Sequence, residues 1–324
     1  MKKLTDNFDI IFKNPRLIYK IIRNYGRVVL NKRVLGAVEF AVTYDCNLAC
    51  EYCSSIVLHQ KGQAYLLFDE IKPIISQLVK AGACVINLTG GEPLLREDTV
   101  DIAYFIKKNN ALATVLTNGH LLTKGCAKEL KRISLDAVQI SFNVIEKSQA
   151  GSSLEKIFLG IENAKSNGLK VIISTIVTNE SINNGQINEV IKFCKDIHSI
   201  LNLIVPCAVG RWSADKTRLL SDESWQVFQE LCKLKGIRTD THMNYFGRLC
   251  PAGTERIYVS AYGDVLPCDF IHISFGNLAK EPLEDILARI NNFMPIRNKN
   301  TPCLAGRDKS FIDKYLNSVP NKRP

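Results

Sequence analysis

Cys46-Asn47-Leu48-Ala49-Cys50-Glu51-Tyr52-Cys53, set just after the apolar run Gly36 to Tyr44, has three cysteines at the spacing Cys-x3-Cys-x2-Cys. Thiolates this close cannot sit on a regular helix or strand and still point outward independently. They suit a loop wrapped around one corner of a 4Fe–4S cubane, each thiolate taking one iron. The fourth iron is then left without a protein ligand, and such a cluster can bind a small molecule and pass it an electron. A zinc site prefers paired Cys-x2-Cys units or cysteine with histidine, and no second pair stands in this chain. A disulfide framework does not suit 324 residues with no secretion signal.

Outward from this loop, strands and helices alternate. Apolar runs rich in Val and Ile predict strands at Gly36 to Tyr44, Cys84 to Thr89, Ala113 to Thr117, Ala137 to Phe142, Val171 to Val177 and Asn202 to Pro206. Helical spacing predicts helices at Phe68 to Ala81, Glu97 to Asn109, Lys124 to Arg132, Ser153 to Asn167 and Gln186 to Ile197. The alternation argues for an α/β fold with parallel strands buried on both faces. Right-handed crossovers would allow a partial barrel or a flat doubly wound sheet. In either, Cys46, Gly90, Thr117 and Ser141 follow or end successive strands and fall on the carboxyl edge, where such folds build their sites. Taken alone, Gly90-Gly91 or Thr117-Asn118-Gly119 would be ordinary turn sequence.

Together, the cysteine triplet, Thr89-Gly90-Gly91-Glu92-Pro93, Thr117-Asn118-Gly119 and Gln139-Ile140-Ser141-Phe142-Asn143 resemble the radical S-adenosylmethionine (SAM) enzymes. The resemblance runs from about residue 37 to 206 and more weakly to about 306. It implies a partial (β/α)6 barrel of the radical SAM type. It also implies that Cys46, Cys50 and Cys53 hold a 4Fe–4S cluster that binds SAM. Gly90, Gly91, Glu92 and Pro93 match the motif that holds the methionine amino group. Tyr52 matches the aromatic position bordering the adenine, and Thr117, Asn118 and Ser141 match further SAM contacts. Asn143 stands where many relatives have Asp. The implied activity is reductive cleavage of SAM to a 5′-deoxyadenosyl radical, which takes a hydrogen atom from a small natural product or peptide. Oxidation, crosslinking or epimerisation would follow, with a donor such as flavodoxin or ferredoxin supplying the electron.

A second cysteine set lies in the last third. Cys250 is followed by twelve residues, Gly263, four residues and Cys268. Ile257 to Cys268 reads as a β-hairpin turning at Gly263-Asp264. This resembles the opening of the family's twitch or SPASM subdomain, which implies an auxiliary 4Fe–4S cluster with Cys303 as third ligand. No cysteine follows Cys303, so at most one auxiliary cluster is expected. The fourth ligand is open among Asp269, His272 and Asp308, or the iron is open to substrate. The plain alternative is three unrelated buried thiols. The GTP cyclase of molybdopterin synthesis is similar in length but pairs a Cys-x2-Cys unit with a tail of glycines, and this chain has neither.

Cys84, Cys126, Cys194 and Cys232 sit inside or beside strand and helix patterns and read as core or surface thiols. Cys207 follows the sixth strand and should face the pocket, as a candidate hydrogen-atom donor of the kind radical epimerases use; burial without function is the commoner fate of a lone thiol. Arg211 is a candidate for an anionic substrate group. His59, His120, His198, His242 and His272 form no metal-spaced set, although His59 and His120 could approach from loops.

The net charge is +10, and residues 1–36 alone hold nine basic residues against Asp6 and Asp9. Phe8, Ile11, Phe12, Ile18, Ile21 and Ile22 recur there at helical spacing, so the segment reads as a basic amphipathic helix. Its charge suits either a solvated face beside the barrel or contact with anionic lipid or an acidic substrate. No nucleic-acid module, membrane span or signal sequence is read, and eleven cysteines suit a reducing, cytoplasmic setting. The expected organisation is an N-terminal helix at 1–36, the barrel at 37–212, a linking helix region at 213–243, a twitch-like α+β subdomain at 244–306 and a tail at 307–324.

Overall fold

A computed structural model describes residues 15–30, 34–143, 151–240, 249–297 and 300–316. Residues 1–14 of the expected basic helix, residues 241–243 of the linking region, His242 among them, and the tail from 317 onward lie outside the described residues.

The six expected strands form as β1 (Ala37–Thr43), β2 (Val85–Gly90), β3 (Leu112–Thr117), β4 (Ala137–Ser141), β5 (Val171–Ile176) and β6 (Ile200–Ile204). The longer helices are α1 (Pro15–Val29), α2 (Phe68–Ala81), α3 (Thr99–Lys108), α4 (Lys124–Arg132), α5 (Gly151–Ser166), α6 (Gln186–Asp196), α7 (Asp222–Leu231) and α8 (Leu283–Asn292). Side-chain oxygens fix several starts: Thr123 accepts from Cys126 N at 3.2 Å before α4, and Ser221 accepts from Ser224 N at 3.1 Å before α7. β6 begins and ends two residues earlier than the sequence suggests, because Pro206 has no N–H to give the ladder.

Two more parallel strands extend the sheet: β7 (Ile237–Thr239) beyond β6, and β8 (Arg256–Val259) beside β1. β9 (Val265–Leu266) returns antiparallel on β8, giving the order β7-β6-β5-β4-β3-β2-β1-β8-β9. The expected hairpin therefore exists, with Gly263 at φ +89 in its turn. It is an extension of the main sheet, paired from Ala37↔Arg256 to Phe40↔Val259, and not a strand pair apart from it.

The sheet is curled. Strands lie about 4.8 Å apart, so a flat sheet would hold β7 and β8 roughly 30 Å from each other. Instead Asp240, just past β7, interacts electrostatically with Arg256 of β8. Val38 and Phe40 point outward into a core with Ile71, Ile75, Leu78, Ile102 and Ile106 of α2 and α3. Each such side chain, fully buried, contributes about 1.5–3 kcal/mol. The alternate positions Glu39, Asn87, Thr114, Gln139, Asn202 and Arg238 line one inner cavity. The inner face is thus mixed, since Val85, Leu112, Leu116, Ala137, Ile172 and Ile204 line the same cavity, where the sequence reading took both faces as apolar.

α1 closes the amino edge, away from the cysteine loops. Lys20 Nζ donates to Ala83 O, and Asn24 Nδ2 donates to Gly82 O at 2.9 Å. Burial lowers the Lys20 pKa. This corrects the picture of a helix with all its lysines solvated: Lys20 and Asn24 are buried while Tyr19, Ile22 and Tyr25 are exposed.

Candidate active site

The first cysteine loop starts where β1 ends, and the sequence of β2 lets it stay there. Gly90 has φ +130, and a Cβ on it would overlap Thr43 O. Gly91 is equally hemmed in, with Tyr44 O at 2.6 Å from such an atom. Gly91 N donates to Thr43 O at 2.9 Å, and Glu92 N to Asp45 O at 2.8 Å. Ser55 Oγ donates to Gly90 O at 3.2 Å, returning the far side of the loop to the same strand end. The close approach that these glycines permit is therefore to the chain's own backbone.

Glu92 is fully buried and its carboxylate joins two strand ends. Oε1 accepts from Thr117 Oγ1 at 2.8 Å and from Leu94 N at 3.1 Å, while Oε2 accepts from Asn118 N at 2.8 Å. Burial raises its pKa, and these three donors pull it back down. Oε2 keeps one lone pair for a further donor. Asn118 Nδ2 donates to Asn47 Oδ1 at 2.8 Å, and the Asn118 side chain also meets the Cys46 thiol. Gly90 to Pro93, Thr117, Asn118 and the cysteine loop thus form one bonded unit at the carboxyl edge.

Cys46 is exposed, and Cys50 and Cys53 are half-buried. Leu48 N donates to Cys46 Sγ at 3.4 Å, the N–H···S contact that favours a thiolate. Burial raises the Cys46 pKa, and Glu92 and Cys53 push it further up, while the Leu48 N–H and the Asn118 side chain pull it down. Among the described residues, no three His, Cys, Asp or Glu groups converge on a single ion.

Ser141 ends β4, paired with Ser174. Asn143 is buried, and its Oδ1 accepts from Ile176 N at 2.8 Å, so it ties the ends of β4 and β5. Tyr52 lies edge-on to Trp212, ring centroids 6.1 Å apart. Arg211 is exposed, and its N–H donates to Cys53 O at 3.0 Å, so it stands beside the first loop. His59 stacks on Tyr44 at 6.5 Å, and His120 N donates to Asn118 Oδ1.

Cys250, Cys268 and Cys303 are all buried, and the pKa of Cys268 is raised by burial and by neighbours including Asp269, Cys250 and Cys303. Cys250 N donates to Thr301 O at 2.9 Å, and Gly253 N to Pro267 O at 2.8 Å. Phe270 N donates to Cys268 Sγ at 3.4 Å. Of the suggested fourth ligands, His272 Nε2 lies 2.9 Å from Asp269 O and Asp308 Oδ1 accepts from Phe311 N, while Asp269 stands beside Cys268 and its Oδ1 has no hydrogen-bond partner among the described residues.

Sequence reasoning missed the inner floor. Glu39 on β1 accepts from Asn87 Nδ2 at 2.9 Å and faces Arg256, Asp240 and Asp269. Among the described residues, Glu39 Oε2, Arg256 Nε and Asp269 Oδ1 are buried without a hydrogen-bond partner. Burial pushes Asp240 up to about 6. A charged residue amid Ala37-Val38-Glu39-Phe40-Ala41-Val42 was the available signal.

A family model described as the Radical SAM superfamily matches residues 40–194, and one described as an iron-sulfur cluster-binding domain matches 250–305. A GTP 3',8-cyclase from Aliarcobacter butzleri is 28% identical, covering 86% of this chain and 94% of its own length. An AdoMet-dependent heme synthase from Methanosarcina barkeri is 22% identical over 81% of this chain and 84% of its own. At 30% identity the chain spans only 59% of the length of a "Probable GTP 3',8-cyclase" from Methanococcus vannielii, with 53% of this chain matched. Streptococcus suis SuiB bound to precursor peptide SuiA shares the fold, with TM-score 0.61 at 16% identity over 85% of this chain and 70% of that one.

Proposed function

Since this chain belongs to the radical SAM superfamily and carries an iron–sulfur cluster-binding domain of the SPASM type, we propose that it cleaves SAM reductively and takes a hydrogen atom from a small natural product or peptide. The observation that carries this reading is the bonded unit at the carboxyl edge, where Glu92 holds Thr117 and Asn118 beside the loop of Cys46, Cys50 and Cys53. When bound, the cluster and SAM supply one electron and the 5′-deoxyadenosyl radical.

The chain's residues then bind and orient. Cys46, Cys50 and Cys53 hold the first cluster, and Cys250, Cys268 and Cys303 hold the second. Glu92 Oε2 offers its remaining lone pair to the methionine ammonium. Gly90, Gly91 and Pro93 shape the backbone beside it, and Thr117, Asn118 and Ser141 flank the nucleoside. Tyr52, buttressed by Trp212, borders the adenine. The substrate enters the curled sheet from the carboxyl edge, and Glu39 and Arg256, which line the inner cavity, are candidates to meet its polar groups. Placing the C–H bond near C5′ is the protein's main contribution to rate. A peptide substrate is supported by the shared fold with SuiB, whose structure holds a precursor peptide.

The test is anaerobic reconstitution followed by SAM and a reductant, with 5′-deoxyadenosine measured by mass spectrometry. The reconstituted protein forms it and Cys46→Ala does not. Equal formation by both would end the proposal.

A further inference from the structure

The geometry points to Cys207 as the fourth thiolate ligand of the auxiliary iron–sulfur site, beside Cys250, Cys268 and Cys303. This rests on the reading above that the second cysteine set holds a cluster.

Four separate segments bring the thiols together. Cys207 lies just past β6, only 5% exposed, with its Sγ 3.6 Å from Val205 O. The turn after Cys303 packs against this strand end: a Cβ on Gly306 would stand 2.6 Å from Val205 Cγ1, 3.2 Å from Pro206 O and 3.3 Å from Cys303 Sγ. Glycine at 306 is thus what allows Cys303 to come against residues 205–207. The Cys207 and Cys303 thiols lie close enough to interact, and Cys268 lies close enough to act on Cys207 electrostatically. Backbone bonds from Cys250 to Thr301 and from Gly253 to Pro267 bring in the remaining two segments.

The chemistry of the set agrees. A cubane accepts one thiolate per iron, so four thiols from four directions complete it. Arg256 is buried near Cys268, Asp240 and Asp269 and offers positive charge to an anionic centre.

Two consequences follow. With every iron bound to sulfur, the auxiliary site has no iron open to a substrate atom. Cys207 is also committed, which removes it from the role of hydrogen-atom donor. The same segment reaches the first site: Gly210 packs on Cys53 and Ser54, where a Cβ would come 2.6 Å from Ser54 Cα, and Arg211 bonds to Cys53 O. Residues 207–212 therefore touch both cysteine sets.

The test uses the full chain with Cys46, Cys50 and Cys53 all changed to Ala, so that only the auxiliary centre remains. This parent is reconstituted anaerobically, and its iron content, Mössbauer and EPR spectra are compared with those of versions also carrying Cys207→Ala, Cys207→Ser or, as a buried-thiol control, Cys194→Ala. The parent should hold about four irons. Cys207→Ala should lose iron or show one iron distinct from the others. Cys207→Ser should keep its iron with altered spectra, and Cys194→Ala should match the parent. If both Cys207 variants match the parent in iron and spectra, the assignment is overturned while the auxiliary cluster stands. If the parent itself binds no iron, the auxiliary reading fails and the assignment fails with it.

Discussion

Replacing Glu92 by Gln isolates what the buried carboxylate does. The amide keeps an oxygen where Oε1 accepts from Thr117 Oγ1 and Leu94 N, but sets an NH2 group where Oε2 accepts from Asn118 N at 2.8 Å. One charge-assisted bond, about 1.5–3 kcal/mol, is lost, and a buried N–H left facing another donor costs about 1–3 kcal/mol more. Relief of the buried charge offsets part of this, since burial already raises the Glu92 pKa. The net loss is about 2–4 kcal/mol, or roughly 3–6 °C in melting temperature for a chain of this size. The assay is anaerobic thermal unfolding of the reconstituted variant, followed by circular dichroism, with SAM affinity measured alongside. Affinity should fall at least tenfold, since about 1.4 kcal/mol of lost ammonium contact already gives that factor. An unchanged melting temperature would show that Glu92 does not hold the strand ends together. Unchanged affinity would remove it from the SAM site.

Gly90→Ala forces a Cβ onto Thr43 O at φ +130; strain on the order of 3 kcal/mol should displace the first loop, so that iron counting shows one cluster where the parent has two. Asn143→Leu leaves Ile176 N–H without its acceptor and should cost roughly 1–3 kcal/mol in denaturant unfolding, whereas Asn143→Asp keeps the acceptor and should unfold near the parent. Burial raises the folded pKa of Glu39 from 4.5 to about 7. The native state therefore binds more protons than the unfolded chain between those values, and stability falls as pH rises through that window. Glu39→Gln should flatten that stretch of the pH–stability curve, and a slope identical to the parent's would contradict this. Cys303→Ala should lower iron by about half while leaving 5′-deoxyadenosine formation at the first site.

The sequence was most informative where side-chain period and motif coincide. Runs such as Val171 to Val177 and spaced apolar residues such as Ile71, Ile74, Ile75 and Leu78 specify strands and helices locally, and most of those elements appear within a residue or two of their expected ends. Long-range pairing was not legible. Nothing local in Arg256 to Val259 says that this strand joins β1 in parallel, because that depends on register between residues more than two hundred positions apart. The same limit hid the inner floor. Asp240 meets Glu39, Arg256 and Asp269 only because the sheet curls, and each alone reads as an ordinary charge. Cys207 was singled out by its place after β6, but its neighbour Cys303 comes from a turn that glycine at 306 allows to close on it. The Gly90-Gly91 pair was legible as a close approach, while its partner, the backbone of Thr43 to Asp45, required the fold.

The most direct measurement is EPR of the reduced, anaerobically reconstituted protein with and without SAM, using a variant that lacks Cys250, Cys268 and Cys303. A centre on Cys46, Cys50 and Cys53 with one iron free of protein should change its spectrum when SAM is added, and Glu92→Gln should require more SAM for the same change. A spectrum that stays the same at saturating SAM would contradict the account.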